Sequence, residues 1–166
     1  MARNNLGKKK KCTKCKETKP LVDFYKHKGG KYGYRSECII CLSLYVNKRR
    51  NTEVGFLKKR YEDIQTRAKI IQGDTKHQCY FTFKEYYNEF KKHKEKYGMR
   101  SAWGPRHLPM TMIYQGRKSN NGGRQKGQKT IKSNVSSDRL DSSKPYTIQN
   151  LIFIRNDENS RKKDTT

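Results

Sequence analysis

Two sets of residues in this chain stand at spacings that can do chemistry. The first is a set of cysteines. Cys12-Thr13-Lys14-Cys15 and Cys38-Ile39-Ile40-Cys41 are two C-x2-C pairs with 22 residues between them. Zinc prefers four tetrahedral ligands and thiolates suit it, so two such knuckles joined by a hairpin predict one structural zinc ion. Two disulfides or four free thiols are the alternatives. His27 is a competing ligand, although four cysteines already close the site. The second set is polar and lies near the C-terminus: Asp138, Arg139, Asn150, Asn159 and Lys162. A carboxylate at the end of one strand and an amide on a following helix are oxygen donors, which suit a hard divalent ion such as Mg2+.

Elements must bring these residues together. Residues 1–11 are polar, basic and without periodicity, and read as a mobile arm. Residues 12–50 form the zinc module, with a strand over 21–27, a turn at Gly29-Gly30 and a helix from Cys41 to Arg50. Leu57, Tyr61, Ile64, Ala68 and Ile71 step along one face of a helix over 53–72. Thr82 and Glu85 form a capping box, followed by an aromatic stripe of Phe83, Tyr86, Tyr87, Phe90 and Tyr97 that reads as packing and ends at Gly98. Residues 51–114 are thus a helical connector, ending in an extended stretch over 110–114. Residues 115–134, rich in Gly, Asn, Lys and Gln, read as a flexible basic loop. Val135 opens a strand, 141–149 is a polar loop, Leu151 to Ile154 is a second strand, and Asn156 or Asp157 caps a short basic helix. Cys79 reads as a buried thiol, and His77 and His93 as surface or helix-face residues.

Composition limits the rest. Leu, Ile, Val and Phe together are 28 of 166 residues, so a large self-sufficient apolar core is excluded. The chain has 40 Lys+Arg against 15 Asp+Glu, a net charge of +25. Such a field selects polyanions, nucleic acid first and acidic membrane surfaces second. No apolar run approaches the length of a membrane span, and no apolar leader follows Met1. The expectation is a soluble, cytoplasmic protein with no membrane partner. Its Lys- and Asn-rich composition is also that of AT-rich phage genomes, so a phage-infected host cell fits. Lys8 to Lys11 and Lys48-Arg49-Arg50 flank the zinc module and are placed to grip phosphates.

The run Asp138-Arg139-Leu140-Asp141, then Ser143-Lys144, Tyr146-Thr147, Asn150 and finally Asn159-x-x-Lys162, resembles the HNH (ββα-metal, His-Me finger) endonuclease motif in its D-R-[IL]-D variant. Paired C-x2-C knuckles are common in phage, homing and PacI-like restriction endonucleases of this family. Residues 82–114, with Leu108-Pro109-Met110-Thr111, are similar to the region that precedes the motif. The resemblance implies that Asp138 and Asn159 bind the catalytic metal, Mg2+ or another divalent ion. It also implies that Asn150 ties the loop and orients the site. The position after Asp138 carries the general-base histidine in the family, whereas here it is Arg139. A guanidinium stays protonated, so its expected role is to hold the scissile phosphate. Activation of water then falls to the metal, assisted by His107, Tyr114 or Tyr146, with His107 first.

The resulting expectation is an α+β chain with a zinc-ribbon-like module, a helical middle and a C-terminal ββα-metal finger over 135–166. Its function would be metal-dependent hydrolysis of DNA phosphodiesters, by nicking, homing-type or restriction-type action. Lys48, Arg49, Arg50, Lys144, Arg161 and Lys162 would contact double-stranded DNA. One ββα site cuts one strand, so monomer and homodimer are both open. The rival is a non-catalytic zinc-containing protein that binds DNA or RNA through a degenerate finger.

Overall fold

A computed structural model describes residues 7–70, 78–115 and 130–162. Two compact units divide the chain, Met1–Arg49 and Arg50–Thr166. The described residues form four α-helices and two two-stranded antiparallel sheets, a mixed α+β architecture.

In the first unit β1 (Lys9–Lys11) pairs with β2 (Thr18–Pro20), in the register Lys10 opposite Lys19. Three of the basic residues expected in a mobile arm are therefore a strand. The turn between the strands is tight. Cys12 N–H donates to Glu17 O at 2.8 Å, Lys16 N–H donates to Cys12 O at 3.0 Å, and Lys16 takes a left-handed φ of 63°. The strand expected over 21–27 is absent. Pro20 supplies no N–H to extend pairing, and a 3-10 turn over Leu21–Asp23 follows it, burying Leu21 and then Phe24. A second 3-10 turn, Lys31–Gly33, closes a hairpin bridged at Lys26 and Tyr34. Gly30 is required there because a Cβ would stand 2.0 Å from Tyr34 O. Helix α1 (Ile39–Arg50) begins directly after Cys38 and carries Cys41 in its first turn. The core of this unit is Cys12, Phe24 and Cys38, with Cys15, Tyr34 and Cys41 against it. So few apolar groups cannot offset the chain entropy of folding, which leaves the cysteines as the means of closure.

In the second unit α2 (Glu53–Ile70) and α3 (Phe83–Tyr97) pack against a hairpin of β3 (Val135–Arg139) and β4 (Leu151–Arg155), which runs into α4 (Asn156–Lys162). Leu57 and Ile64 from α2, Tyr86 and Phe90 from α3, and Val135 and Phe153 from the hairpin are buried together. Phe153 takes the edges of Tyr86 and Phe90 at centroid distances of 5.4 and 5.0 Å. The capping box forms, with Thr82 Oγ1 accepting from Glu85 N at 3.3 Å and Glu85 Oε2 accepting from Thr82 N at 2.7 Å.

Of the two readings of His93, surface or helix-face, the second holds, on the buried face of α3. His93 lies one turn beyond Phe90 and is buried, stacked at 5.9 Å on Phe90 and 5.5 Å from Phe153, so the apolar face of α3 runs through it. Its Nε2–H donates to Arg100 O at 2.8 Å. Cys79 is half-buried, in a parallel bridge with Tyr146. His77 and residues 116–129 of the expected basic loop lie outside the described residues. The end of that stretch belongs to the fold, because Asn134 is buried and accepts from Thr111 Oγ1 and Ile113 N while donating to Ile113 O. No helix among the described residues is long and apolar enough to cross a membrane.

Candidate functional site

The four cysteines converge. The Sγ atoms of Cys12, Cys15, Cys38 and Cys41 all lie within 4.8 Å of one another. Tetrahedral zinc with Zn–S bonds of about 2.3 Å sets neighbouring sulfurs about 3.8 Å apart. The residues present therefore fit one zinc ion. The backbone also prepares thiolates, as Lys14 N and Cys38 N donate to Cys12 Sγ at 3.4 and 3.3 Å. Burial alone would push the Cys12 thiol up, but the N–H groups of Cys38, Cys15 and Lys14 outweigh it and bring it to about 6. Cys41 is pushed up to about 12, first by its contact with the Cys38 side chain and then by burial. The cluster thus ionises in part by itself and needs a cation to ionise fully. His27 is exposed and lies outside the cluster.

The cations around this module divide. The Lys10 ammonium is committed to the fold, donating to Tyr34 O and Arg35 O at 2.8 Å each and to Lys31 O at 3.3 Å. Lys48 and Arg49 are exposed on α1. In the second unit Arg50 lies 4.8 Å over the Tyr114 ring and donates to the Tyr114 hydroxyl.

The C-terminal polar residues sort by the pleat of β3. Ser136 and Asp138 share one face of the strand, and Ser137 and Arg139 the other. On the first face Asn159 Nδ2 donates to Ser136 Oγ at 2.7 Å. Three residues further along α4, Lys162 Nζ lies 3.2 Å from Asp138 Oδ2. It also donates to the carbonyls of Arg139 and Leu140 and sits 5.1 Å over the Trp103 ring. Asp138, Asn159 and Lys162 therefore meet on one side of the β3–β4–α4 unit.

Arg139 does not join them. Its guanidinium lies 5.1 Å over the ring of buried Tyr146, and Nη1 donates to Lys144 O at 3.0 Å. Beside it Ser137 Oγ pairs with Tyr86 OH at 2.6 Å in the core. Burial pushes the phenols of Tyr86 and Tyr146 up, so neither is poised to lose a proton at neutral pH.

Asn150 holds the loop between the strands. Its Oδ1 accepts from Asp141 N at 2.8 Å, and its Nδ2 donates to Asp141 O at 3.0 Å and to Pro145 O at 2.9 Å. Ser143 Oγ, then Lys144 at 3.0 Å, hold the Asp141 carboxyl down at about 2. Arg161 is exposed on α4.

His107 belongs to a loop docked on this unit. Its Nδ1 pairs with Ser101 O at 2.9 Å and its ring lies 5.2 Å from that of Tyr97. The described contacts of His107 are with Ser101, Arg100 and Tyr97, and none joins it to Asp138 or Asn159. The loop itself is anchored by Ala102 N–H to Phe153 O at 3.1 Å and by Ser101 Oγ, which donates to buried Glu158. Glu158 Oε2 also accepts from Arg155 N at 3.2 Å. Asp157 Oδ1 accepts from Glu158 N at 3.0 Å, so the Glu158 and Asp157 carboxylates together satisfy the backbone at the start of α4, while Asn156 Nδ2 reaches Ile131 O. Trp103, Ser101 and Glu158 were not singled out by sequence. The one available signal was a lone tryptophan in a Gly- and Pro-containing loop. Comparison of the chain with family models, with curated proteins and with solved structures gives no match in any of the three.

Proposed function

We propose that this chain is a divalent-metal-dependent DNA endonuclease of the HNH (ββα-metal) kind, with a zinc-stabilised module that aids DNA binding in the cytoplasm. The observation that carries the reading is the meeting of Asp138, Asn159 and Lys162 on one face of a strand–loop–strand–helix unit. The donor chemistry fits a hard ion, because Asn159 donates through Nδ2 to Ser136, so its Oδ1 is the amide atom that would ligate a cation, on the same side of the unit as Asp138. A divalent ion held by Asp138 and Asn159 supplies stabilisation of charge on the phosphodiester and acidity to water. Lys162 balances the Asp138 carboxylate and is a ready partner for a phosphate oxygen. Asn150 fixes the loop that follows Asp138. Arg139, turned to Tyr146, acts as a positioning residue for that loop. The net charge of +25 and the exposed Lys48, Arg49, Arg161 and Lys144 supply sequence-independent attraction to the duplex. The reaction is attack of water on phosphorus with departure of the 3′ oxygen, one strand per site.

A second reading, binding of DNA without cleavage, is favoured by one observation. The residue after Asp138 is an arginine, held on the face of β3 away from Asn159. Incubating supercoiled DNA with the protein in Mg2+, in Mn2+ and without added metal separates the two. Metal-dependent nicking that is lost in Asp138→Ala, with DNA binding retained, is the expected result. Tight binding without cleavage in either metal establishes the second reading instead.

A further inference from the structure

The first unit carries a cavity of about 590 Å3 between β1 and the hairpin of residues 27–35, within the size range of pockets for small organic ligands. Lys9, Lys11, His27, Lys31, Tyr32 and Arg35 contribute to its wall, and all six are exposed. Lys10 also lines it, but its ammonium is taken by the hairpin carbonyls. Glu37 is the one acidic group in the lining, against four exposed cations. Such a wall selects an anion.

Tyr32 adds a second requirement. It has a left-handed φ of 60°, a backbone conformation unfavourable for a residue other than glycine. The residue is 48% exposed. Lys8 and Lys31 ammoniums lie 5.6 and 5.3 Å from the ring centroid. The hairpin thus spends backbone strain to hold an aromatic face in water among cations, and nothing in the core of the unit uses that ring. An aromatic face beside clustered ammoniums, at the mouth of a cavity of this volume, matches a planar base attached to a phosphate.

We propose that this cavity binds one unpaired nucleotide of a nucleic-acid strand, with its base against Tyr32 and its phosphate beside Lys31 and Arg35. A base inside an intact duplex cannot enter, so the ligand is single-stranded or locally opened nucleic acid. The inference takes its nucleic-acid partner from the reading above but does not depend on cleavage.

The test uses the full zinc-loaded chain carrying Asp138→Ala, without Mg2+, so that catalysis plays no part. Fluorescence anisotropy measures binding of labelled 12-nucleotide dT and rU strands and of a duplex of equal length. Tyr32→Asn is the main variant, because asparagine tolerates the left-handed backbone. Tyr32→Phe keeps the ring. The expected result is about tenfold weaker single-strand binding in Tyr32→Asn, with duplex binding and zinc content unchanged and with Tyr32→Phe close to the parent. Lys31→Ala should weaken the same strands. Equal loss for dT and rU supports a pocket that reads base and phosphate alone, whereas a larger loss for one names its source. The proposal is overturned if Tyr32→Asn binds single strands as tightly as the parent, or loses duplex and single strand alike. A native chain that never cuts DNA but shows Tyr32-dependent strand binding retains this inference and removes the nuclease.

Discussion

Under the proposed function, Lys162 would stand where a divalent ion and a phosphate are both served. Its Nζ lies 3.2 Å from Asp138 Oδ2, and its side chain is 10% exposed, so the ammonium and any dication compete for one carboxylate. Lys162→Met should therefore bind Mn2+ severalfold more tightly, read by electron paramagnetic resonance. Its duplex affinity should fall, with the salt slope reduced by about 1. Equal Mn2+ affinity in the two proteins would remove Lys162 from the site. Asn150 makes three loop hydrogen bonds, and Asn150→Ala should cost about 2–4 kcal/mol, seen as a lower denaturant midpoint. At this scale the cysteine cluster was legible because each C-x2-C pair is a property of one short segment. Ser101 and Glu158 were not, because their pairing spans 57 positions and neither residue type signals it. Nor was the separation of Arg139 from Asp138, although strand alternation alone requires neighbours to face opposite ways.

Helices read more easily than the small strands. The periodic helix expected over 53–72 appears as Glu53–Ile70, and the capped helix beginning after Thr82 runs to Tyr97. Each has a long apolar face, and that period survives any arrangement of neighbours. β1 and β2, three residues each and exposed on alternate positions, have no such pattern to show. Two predictions belong to α3. Thr82→Ala removes one half of the capping box and should destabilise the second unit by about 1 kcal/mol in thermal unfolding. Burial holds His93 below the usual imidazole range, so its folded form is neutral. The unfolded chain then takes up a proton first as pH falls below about 6.5. The stability due to neutral His93 is full above that pH and declines as pH falls through it toward the folded value. His93→Phe should flatten this acid slope in a series of unfolding curves, and an unchanged slope would mean that the ring is charged in the fold.

For the whole chain, the division between Arg49 and Arg50 separates a unit closed by four cysteines from one closed by an aromatic core. Removing zinc with a chelator, or by Cys12→Ser, should unfold the first unit and leave the second to unfold in its own later transition, where cooperative folding would lose both together. Proteolysis followed by mass spectrometry reads this directly, and a second unit digested as fast as the first would contradict it. The clasp of Asn150 on Asp141 and Pro145 also limits how this chain can change by descent. It fixes the number of residues between β3 and β4, and with it which side chain of each neighbouring pair faces α4. Inserting or deleting one residue in β3 would carry Arg139 toward Asn159 and turn Asp138 in against Tyr146. Lineages should therefore tolerate many single replacements in this hairpin while keeping its length constant.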